Sequence, residues 1–359
     1  MQQPFENLTR TGQIRRMKRL AETALAAYDL EDVTLKPLQH FFNTTFQVDA
    51  RLRSTNASVA DSAQGARERF VLRIHRPDAQ NAATIQSELL WLLALRREAG
   101  LVVPEPVAMC NGAFVTYTAD VGVPEARHCV LFRWVNGRFC GPLPGQQALT
   151  RVGAFMATLH QHAETFATPQ EFTRPRWDYE GLRCQALGTD LKQSWVHITR
   201  EDRTVLDTMA ERVQRVMDGL GEKRSVFGLI HADFYERNYL FSAGKVHAID
   251  FDGCGWGYYL FDIGVTLSTL LEHSTYHLLR QAFLAGYRRV RPLSEEHEAL
   301  IDTFIGGRLM CHILWLAAHV EEPAYGQRAS RRIALEIREI KALLHAKNVY
   351  GKRAPGLCI

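Results

Sequence analysis

The sequence predicts an α+β fold in two lobes, a small strand-rich N-terminal lobe around one main helix and a larger, mainly helical C-terminal lobe. Three observations predict it. The chain has 359 residues, more than the roughly 250–300 at which a single hydrophobic core stops growing. Residues 31–135 read as short apolar or alternating runs around one helical segment. From about Gln146 onward, apolar residues recur at helical spacing. The expected division is 1–135 and 136–359, with NGRFCGPLPG as the hinge.

Element by element, Ile14, Met17, Leu20, Ala21, Ala24, Leu25 and Tyr28 recur at three- and four-residue steps, which predicts an amphipathic helix. Acidic Glu22 and Asp29 beside it favour packing on the first lobe over a membrane surface. TLKPLQ, TTFQVDARL and RFVLRIHR read as strands, and the polar segment STNASVADSAQGARE as a flexible hairpin loop. After Pro77, TIQSELLWLLALRREAG reads as a helix with Glu88 in its second turn and Gly100 as its C-cap. VPEPVA, CNGAFVTYT and HCVLFRWVNG complete the first lobe. The second lobe's helices are ALTRVGAFMATLHQH, DRTVLDTMAERVQRVMDGL, YHLLRQAFLAGYRR, EALIDTFIGGRLMCHILWLAAHV and RRIALEIREIKALLHA.

Composition excludes several classes. A net charge of +4 over this length, without a zinc-finger, RNP or basic-zipper pattern, calls for no nucleic acid. Seven scattered cysteines without a CxxC pair indicate neither a disulfide framework nor a zinc site, so reduced thiols and a cytoplasmic setting are expected. Apolar stretches such as Ile313 to Val320 are too short for a membrane span, and no membrane is expected.

The chemistry concentrates in LIHADFYERNYLFSAGKVHAIDFDGCGWGYYLFDIG, which sets His231, Asp233, Asn238, Asp250, Asp252 and Asp262 among apolar residues. Polar groups in such surroundings are costly unless used. NYLF and KVHAIDF read as one hairpin turning at residues 242–245, which puts Asn238 opposite Ile249 and diagonal to Asp250. An amide oxygen and a carboxylate at that spacing suit Mg²⁺, which takes few protein ligands and completes its shell with water and phosphate oxygens. Asp233, five residues before Asn238, supplies the carboxylate that phosphoryl transfer needs to hold and deprotonate an incoming hydroxyl. Each residue alone would read as a cap, a turn or a core polar group. Their joint order points to a site.

Two other patterns carry nothing. Gly253, Gly255 and Gly257 have the wrong spacing for a dinucleotide loop and no clear helix after them, and no GxxxxGK[ST] exists. His160 and His162, two apart on a helix, point to different faces and read as packing and surface residues.

HADFYERN followed by IDFD and FDIG resembles the catalytic region of the aminoglycoside phosphotransferase and choline kinase superfamily. The resemblance implies a bilobal, protein-kinase-like fold, ATP and Mg²⁺ as cofactors, and a catalytic Asp at Asp233. By the same resemblance Asn238 and Asp250 bind metal, Asp262 braces the catalytic loop and His231 is a structural member of it. FNTTFQV resembles the nucleotide-covering hairpin, which assigns Asn43 to the nucleotide, although this copy has no glycine. RFVLRIHRP stands where the family has a phosphate-contacting Lys, and here that place holds Arg73, matched by Glu88 on the helix. Arg for Lys changes reach and geometry. An ordinary surface ion pair is the plain alternative for these two. VLFRWVNG resembles the adenine-side hinge, with the backbone of Arg133 and Val135 facing the base.

The resulting expectation is ATP-dependent transfer to a hydroxyl of a small-molecule acceptor, without any specification of oligomeric state. Tyr258, Tyr259, Tyr287, Arg308 and Trp315 are the candidate acceptor-lobe side chains, although aromatics at helical spacing read first as core. A Ser/Thr protein kinase is one alternative, disfavoured because Asp250 and Asp262 are only twelve residues apart. The other is a catalytically weak nucleotide-binding regulatory module, suggested by Arg73 and the glycine-free hairpin.

Overall fold

The computed structural model describes residues 3–53, 66–77, 79–141, 144–183, 191–321 and 326–345. The expected loop at 54–68 lies outside them through residue 65. The chain divides into two compact units: residues 1–97, 102–136 and 170–173 form the first, and residues 98–101, 137–169 and 174–359 the second. The protein is thus a mixed α+β fold with a sheet-based first unit and a helical second unit.

The first unit opens with α1 (Arg10–Leu25), whose N-cap Thr9 accepts a hydrogen bond from the Gly12 amide. Its buried stripe of Met17, Leu20, Ala21, Ala24 and Leu25 joins the core of the sheet. The strands are β1 (Leu30–His40), β2 (Thr44–Leu52) and β3 (Glu68–Ile74), then α2 (Ala82–Glu98), β4 (Val115–Thr118) and β5 (Arg127–Arg133). Among the described residues they form an antiparallel sheet in the order β1-β2-β3-β5-β4. β2 alternates strictly, with Thr44, Phe46, Val48 and Ala50 inward, as period two requires of a strand with one buried face. α2 buries Ile85, Leu89, Trp91, Leu92 and Leu95, and Glu88 with them. The chain leaves α2 through Gly100 at φ +63°, the left-handed conformation a helix end favours.

The second unit runs α3 (Gln146–Thr165), β6 (Arg176–Trp177), α4 (Tyr179–Leu182), α5 (Leu191–Val196), α6 (Arg200–Leu220), β7 (Phe227–Ile230), β8 (Tyr239–Ser242), β9 (Lys245–Ala248) and β10 (Gly255–Tyr258). It continues with α7 (Tyr259–Ser268), α8 (Tyr276–Arg288), α9 (Glu295–Ala318) and α10 (Gly326–His345). α3 and α8 cross on facing glycines: a Cβ on Gly153 would meet the Phe283 carbonyl oxygen at 2.0 Å, and one on Gly286 the Thr150 carbonyl oxygen at 1.8 Å. Only missing side chains permit so close an approach.

Two sequence expectations are corrected. A helix, α7, does follow the glycine-rich stretch directly, and the glycines serve packing. A Cβ on Gly255 would lie 2.3 Å from the Pro175 carbonyl oxygen, and one on Gly257 2.4 Å from Ile230 Cδ1. α9 is long and apolar enough to cross a membrane by length and composition alone. Two thirds of its apolar window is buried inside the fold, however, where it serves as a core helix of the second unit.

Candidate active site

The site is built on the loop 231–238 between β7 and β8, on residues 249–254 after β9, and on the start of α7. Asp262, in the first turn of α7, is fully buried. Its carboxylate is satisfied by three donors: the Ala232 amide to Oδ1 at 2.7 Å, the His231 amide to Oδ2 at 2.8 Å, and His160 Nε2 to Oδ2 at 3.1 Å. A buried carboxylate without such partners would be strongly destabilising. Two consecutive amides aimed at one carboxylate force the loop to turn sharply, and Ala232 takes φ +66°. Burial holds the His160 imidazole below its ordinary value, against the pull of Asp262. A neutral ring then donates from Nε2 and accepts at Nδ1 from the Tyr287 hydroxyl, 2.9 Å away.

His231 ties the loop to the next segment. Its Nε2–H donates to the Ile249 carbonyl at 3.0 Å, while Nδ1 accepts from the Asp233 amide at 3.3 Å. One tautomer serves both bonds. The residue after Ile249 is Asp250, exposed and at φ +61°. The hairpin pairs Tyr239 with Ala248 and continues through the bond from the Ile249 amide to the Asn238 carbonyl, 2.9 Å. Asn238 therefore lies opposite Ile249, one residue from Asp250.

Asn238 is buried, and its Nδ2 donates to both the carbonyl oxygen (2.8 Å) and Oδ2 (3.0 Å) of Asp233. Both amide protons are thereby used, which turns the amide oxygen away from Asp233. Asp233 Oδ1 accepts from Arg308 Nη2 of α9 at 2.8 Å. Tyr235, in the same loop, is pushed up to about 12, mainly by burial and then by Asp233. The segment after Asp250 is pinned by its carbonyls: Arg174 donates to those of Asp252 (2.6 Å) and Cys254 (2.7 Å), and Trp177 Nε1 to that of Gly253 (2.9 Å).

In the first unit, Arg73 of β3 meets Glu88 of α2, with Nη2 at 2.8 and 2.7 Å from the two carboxylate oxygens. Both side chains are buried, and the guanidinium lies over the Phe132 ring at 4.9 Å. The surface-pair alternative does not hold. Asn43 sits in the β1–β2 turn, where its Oδ1 accepts from the Arg76 amide at 3.1 Å. The Arg133 amide donates to the Glu105 carbonyl at 2.8 Å and its side chain pairs with Glu68, so a base contact from this residue would fall to its carbonyl oxygen. Val135 follows β5, two residues beyond its end.

Two participants escaped sequence reasoning. His160 is not a packing residue but the third donor to Asp262, and His162 is buried against Glu98 (3.0 Å) rather than on the surface. Arg308, only a candidate for acceptor binding, contacts Asp233. A lone cation inside the apolar run IDTFIGGRLMCHILWLAA demanded a buried anion, and that was the available signal. The tyrosines grouped with Arg308 are core: Tyr258 donates to the Met217 carbonyl and Tyr259 to that of Arg224.

A partly exposed carboxylate is held by a buried amide that lies one hairpin residue from a second, exposed carboxylate, which gathers three hard oxygen-bearing side chains at one place. The sequence profile of the phosphotransferase enzyme family matches residues 48–299. The chain belongs to that family. This phosphotransferase is 28% identical over 239 residues to a homoserine kinase of Neisseria meningitidis serogroup B (strain ATCC BAA-335 / MC58), spanning 65% of this chain and 72% of that one. Its fold matches a solved microcompartment-associated aminopropanol kinase with a TM-score of 0.75 and 26% identity, covering 94% and 99% of the two chains. It also matches amicoumacin kinase hAmiN, solved with AMP-PNP, Ca²⁺ and Ami, with a TM-score of 0.72 at 20% identity, covering 93% and 96%. The phosphotransferase is therefore an enzyme of protein-kinase-like fold, and the relatives named here are kinases of small molecules.

Proposed function

We propose that this phosphotransferase uses ATP and Mg²⁺ to phosphorylate a hydroxyl of a small-molecule acceptor. The observation that carries the reading is the Asp233–Asn238 pair, fixed at 3.0 Å and set one hairpin residue from Asp250. Asp233 orients the acceptor hydroxyl and takes its proton as the acceptor oxygen bonds to the γ-phosphorus. The bond from that phosphorus to the β,γ-bridging oxygen breaks, and ADP leaves.

The donor set fits a hard divalent cation. The Asn238 amide oxygen is turned away from Asp233 by the two bonds its Nδ2 makes, and Asp250 adds an exposed carboxylate. Among the described residues no group of three or more His, Cys, Asp or Glu is placed to hold a metal, so a bound cation would complete its shell with phosphate and water, as Mg²⁺ does. When bound, it neutralises phosphate charge. Asp262 and His231 hold the loop; Arg73, with Glu88 behind it, serves the nucleotide phosphates, and Asn43, Arg133 and Val135 lie in the nucleotide-side elements. We place the activity in the cytoplasm.

Homoserine and aminopropanol kinases among the relatives support a small-molecule acceptor over a protein Ser or Thr. The complete acid and amide set speaks against a module without turnover. The test is transfer of labelled γ-phosphate from Mg·ATP into a cell extract, comparing the wild type with Asp233→Asn and separating small molecules from protein. Label in a small molecule with the wild type alone supports the reading; label confined to protein, or none, defeats it.

A further inference from the structure

We infer that Arg308 is a positioning residue that clamps the catalytic carboxylate, an inference that rests on Asp233 being the base. Rotation of an Asp carboxylate about its last torsion is intrinsically loose. Here both ends are held: Oδ1 by Arg308 Nη2 at 2.8 Å and Oδ2 by Asn238 Nδ2 at 3.0 Å. Two donors, one from the same loop and one from α9, leave the carboxylate plane one orientation, while each oxygen keeps a lone pair for an incoming hydroxyl.

The clamp has a rigid origin. α7 and α9 cross so closely that a Cβ on Gly264 would lie 2.9 Å from the Phe304 carbonyl carbon and 3.0 Å from the Ile305 nitrogen. Arg308 stands one turn beyond that crossing on α9, and Asp262, which braces the backbone of the Asp233 loop, stands two residues before it on α7. Backbone brace and side-chain clamp thus share one reference. The guanidinium is mostly buried. Burial opposes its charge, yet the Asp233 carboxylate, followed by Cys311, Tyr235 and Glu336, outweighs that and raises its pKa. Glu336 takes bonds from His312 (2.7 Å) and Arg332 (2.6 Å) on one oxygen, whereas the guanidinium of Arg308 pairs with Asp233 at 2.8 Å, which directs it toward the loop.

Arg308→Ala frees one end of the carboxylate without touching nucleotide-side residues. The expected result is a fall in kcat of about 10²-fold, the cost of misplacing a reacting group by about an ångström, with KM for ATP within about twofold. Millimolar ethylguanidinium, entering the space left by the side chain, should restore kcat at least about tenfold, which a packing role would not allow. Should the Ala variant fail to fold, Arg308→Gln keeps a donor without the charge and is expected to lose about tenfold in kcat at unchanged KM. A kcat within about threefold of wild type in either folded variant overturns the clamp. So does a loss in folded Arg308→Ala that ethylguanidinium leaves unmoved. Asp233→Asn, run beside them, separates the two readings: if it abolishes turnover while folded Arg308→Ala stays within about threefold of wild type, the clamp alone fails, and if it retains turnover the base assignment fails and the clamp with it.

Discussion

His160 Nε2 donates to Asp262 Oδ2 at 3.1 Å, joining side chains 102 residues apart, both fully buried. The bond completes the donor set of the carboxylate that bends the loop 231–238. Burial keeps His160 below its ordinary value of 6.5, so as pH falls the unfolded chain takes up this proton before the folded one does. The contribution is whole above about pH 6.5 and is lost as pH falls below it, at no more than about 1.4 kcal/mol per pH unit for one proton. His160→Gln should show a shallower loss of stability than wild type between pH 6.5 and 5 in thermal melts. At pH 8 it should still be less stable by about 1–3 kcal/mol if its amide fails to reach Asp262. Parallel pH profiles would refute the assignment.

Arg73 and Glu88 form a buried pair, in which removing one partner strands the other's charge. Arg73→Met is expected to destabilise the chain by about 3–5 kcal/mol, and Arg73→Met with Glu88→Leu to recover most of that. Denaturant unfolding of the two variants measures both terms. A double variant no more stable than the single one would mean that the pair does more than neutralise itself.

Gly264 meets backbone, not a yielding side chain, so a methyl there must part α7 from α9. Gly264→Ala should cost about 1–3 kcal/mol. It should also lower kcat by more than its population of folded protein explains, because Asp262 and Arg308 flank the crossing. Turnover per folded molecule equal to wild type would count against the shared reference.

Glu339 of α10 is pushed up to about 7, chiefly by burial, with Glu336 and Glu272 adding to it and Arg332 opposing. A carboxyl whose folded value exceeds its unfolded one supports the fold fully below about 4.5 and loses that support as pH rises through about 7. Glu339→Gln should therefore gain stability relative to wild type at pH 8 and gain none at pH 4.5. The gain is on the order of 1 kcal/mol, since the side chain is only half-buried and partly screened. Equal differences at both pH values would contradict the assignment.

Much of the site was legible because it is local. Asp233 and Asn238 are five residues apart, and the hairpin that brings Asp250 to them spans a dozen more, so a motif and a turn suffice to place them. The two-part α+β architecture was legible for a similar reason, since periods of two and 3.6 are written along the chain. Arg73 illustrates the limit: its pairing with Glu88 followed from the family pattern, but whether the pair lay in water or in the core depended on the sheet and helix closing over it.

By itself the sequence determined the two kinds of unit, the strands of the first unit, the longer helices, and the acid, amide and acid at the hairpin, because backbone periodicity and short-range turns encode each of them. Tertiary structure alone decided that His160 is the brace's third donor and that Arg308, 75 residues from Asp233, is its neighbour. It decided too that the glycines of α3, α7 and α8 are crossing points. These depend on which helices meet and at what distance, and the price of leaving a buried charge or carbonyl unpartnered becomes visible only once that burial is known.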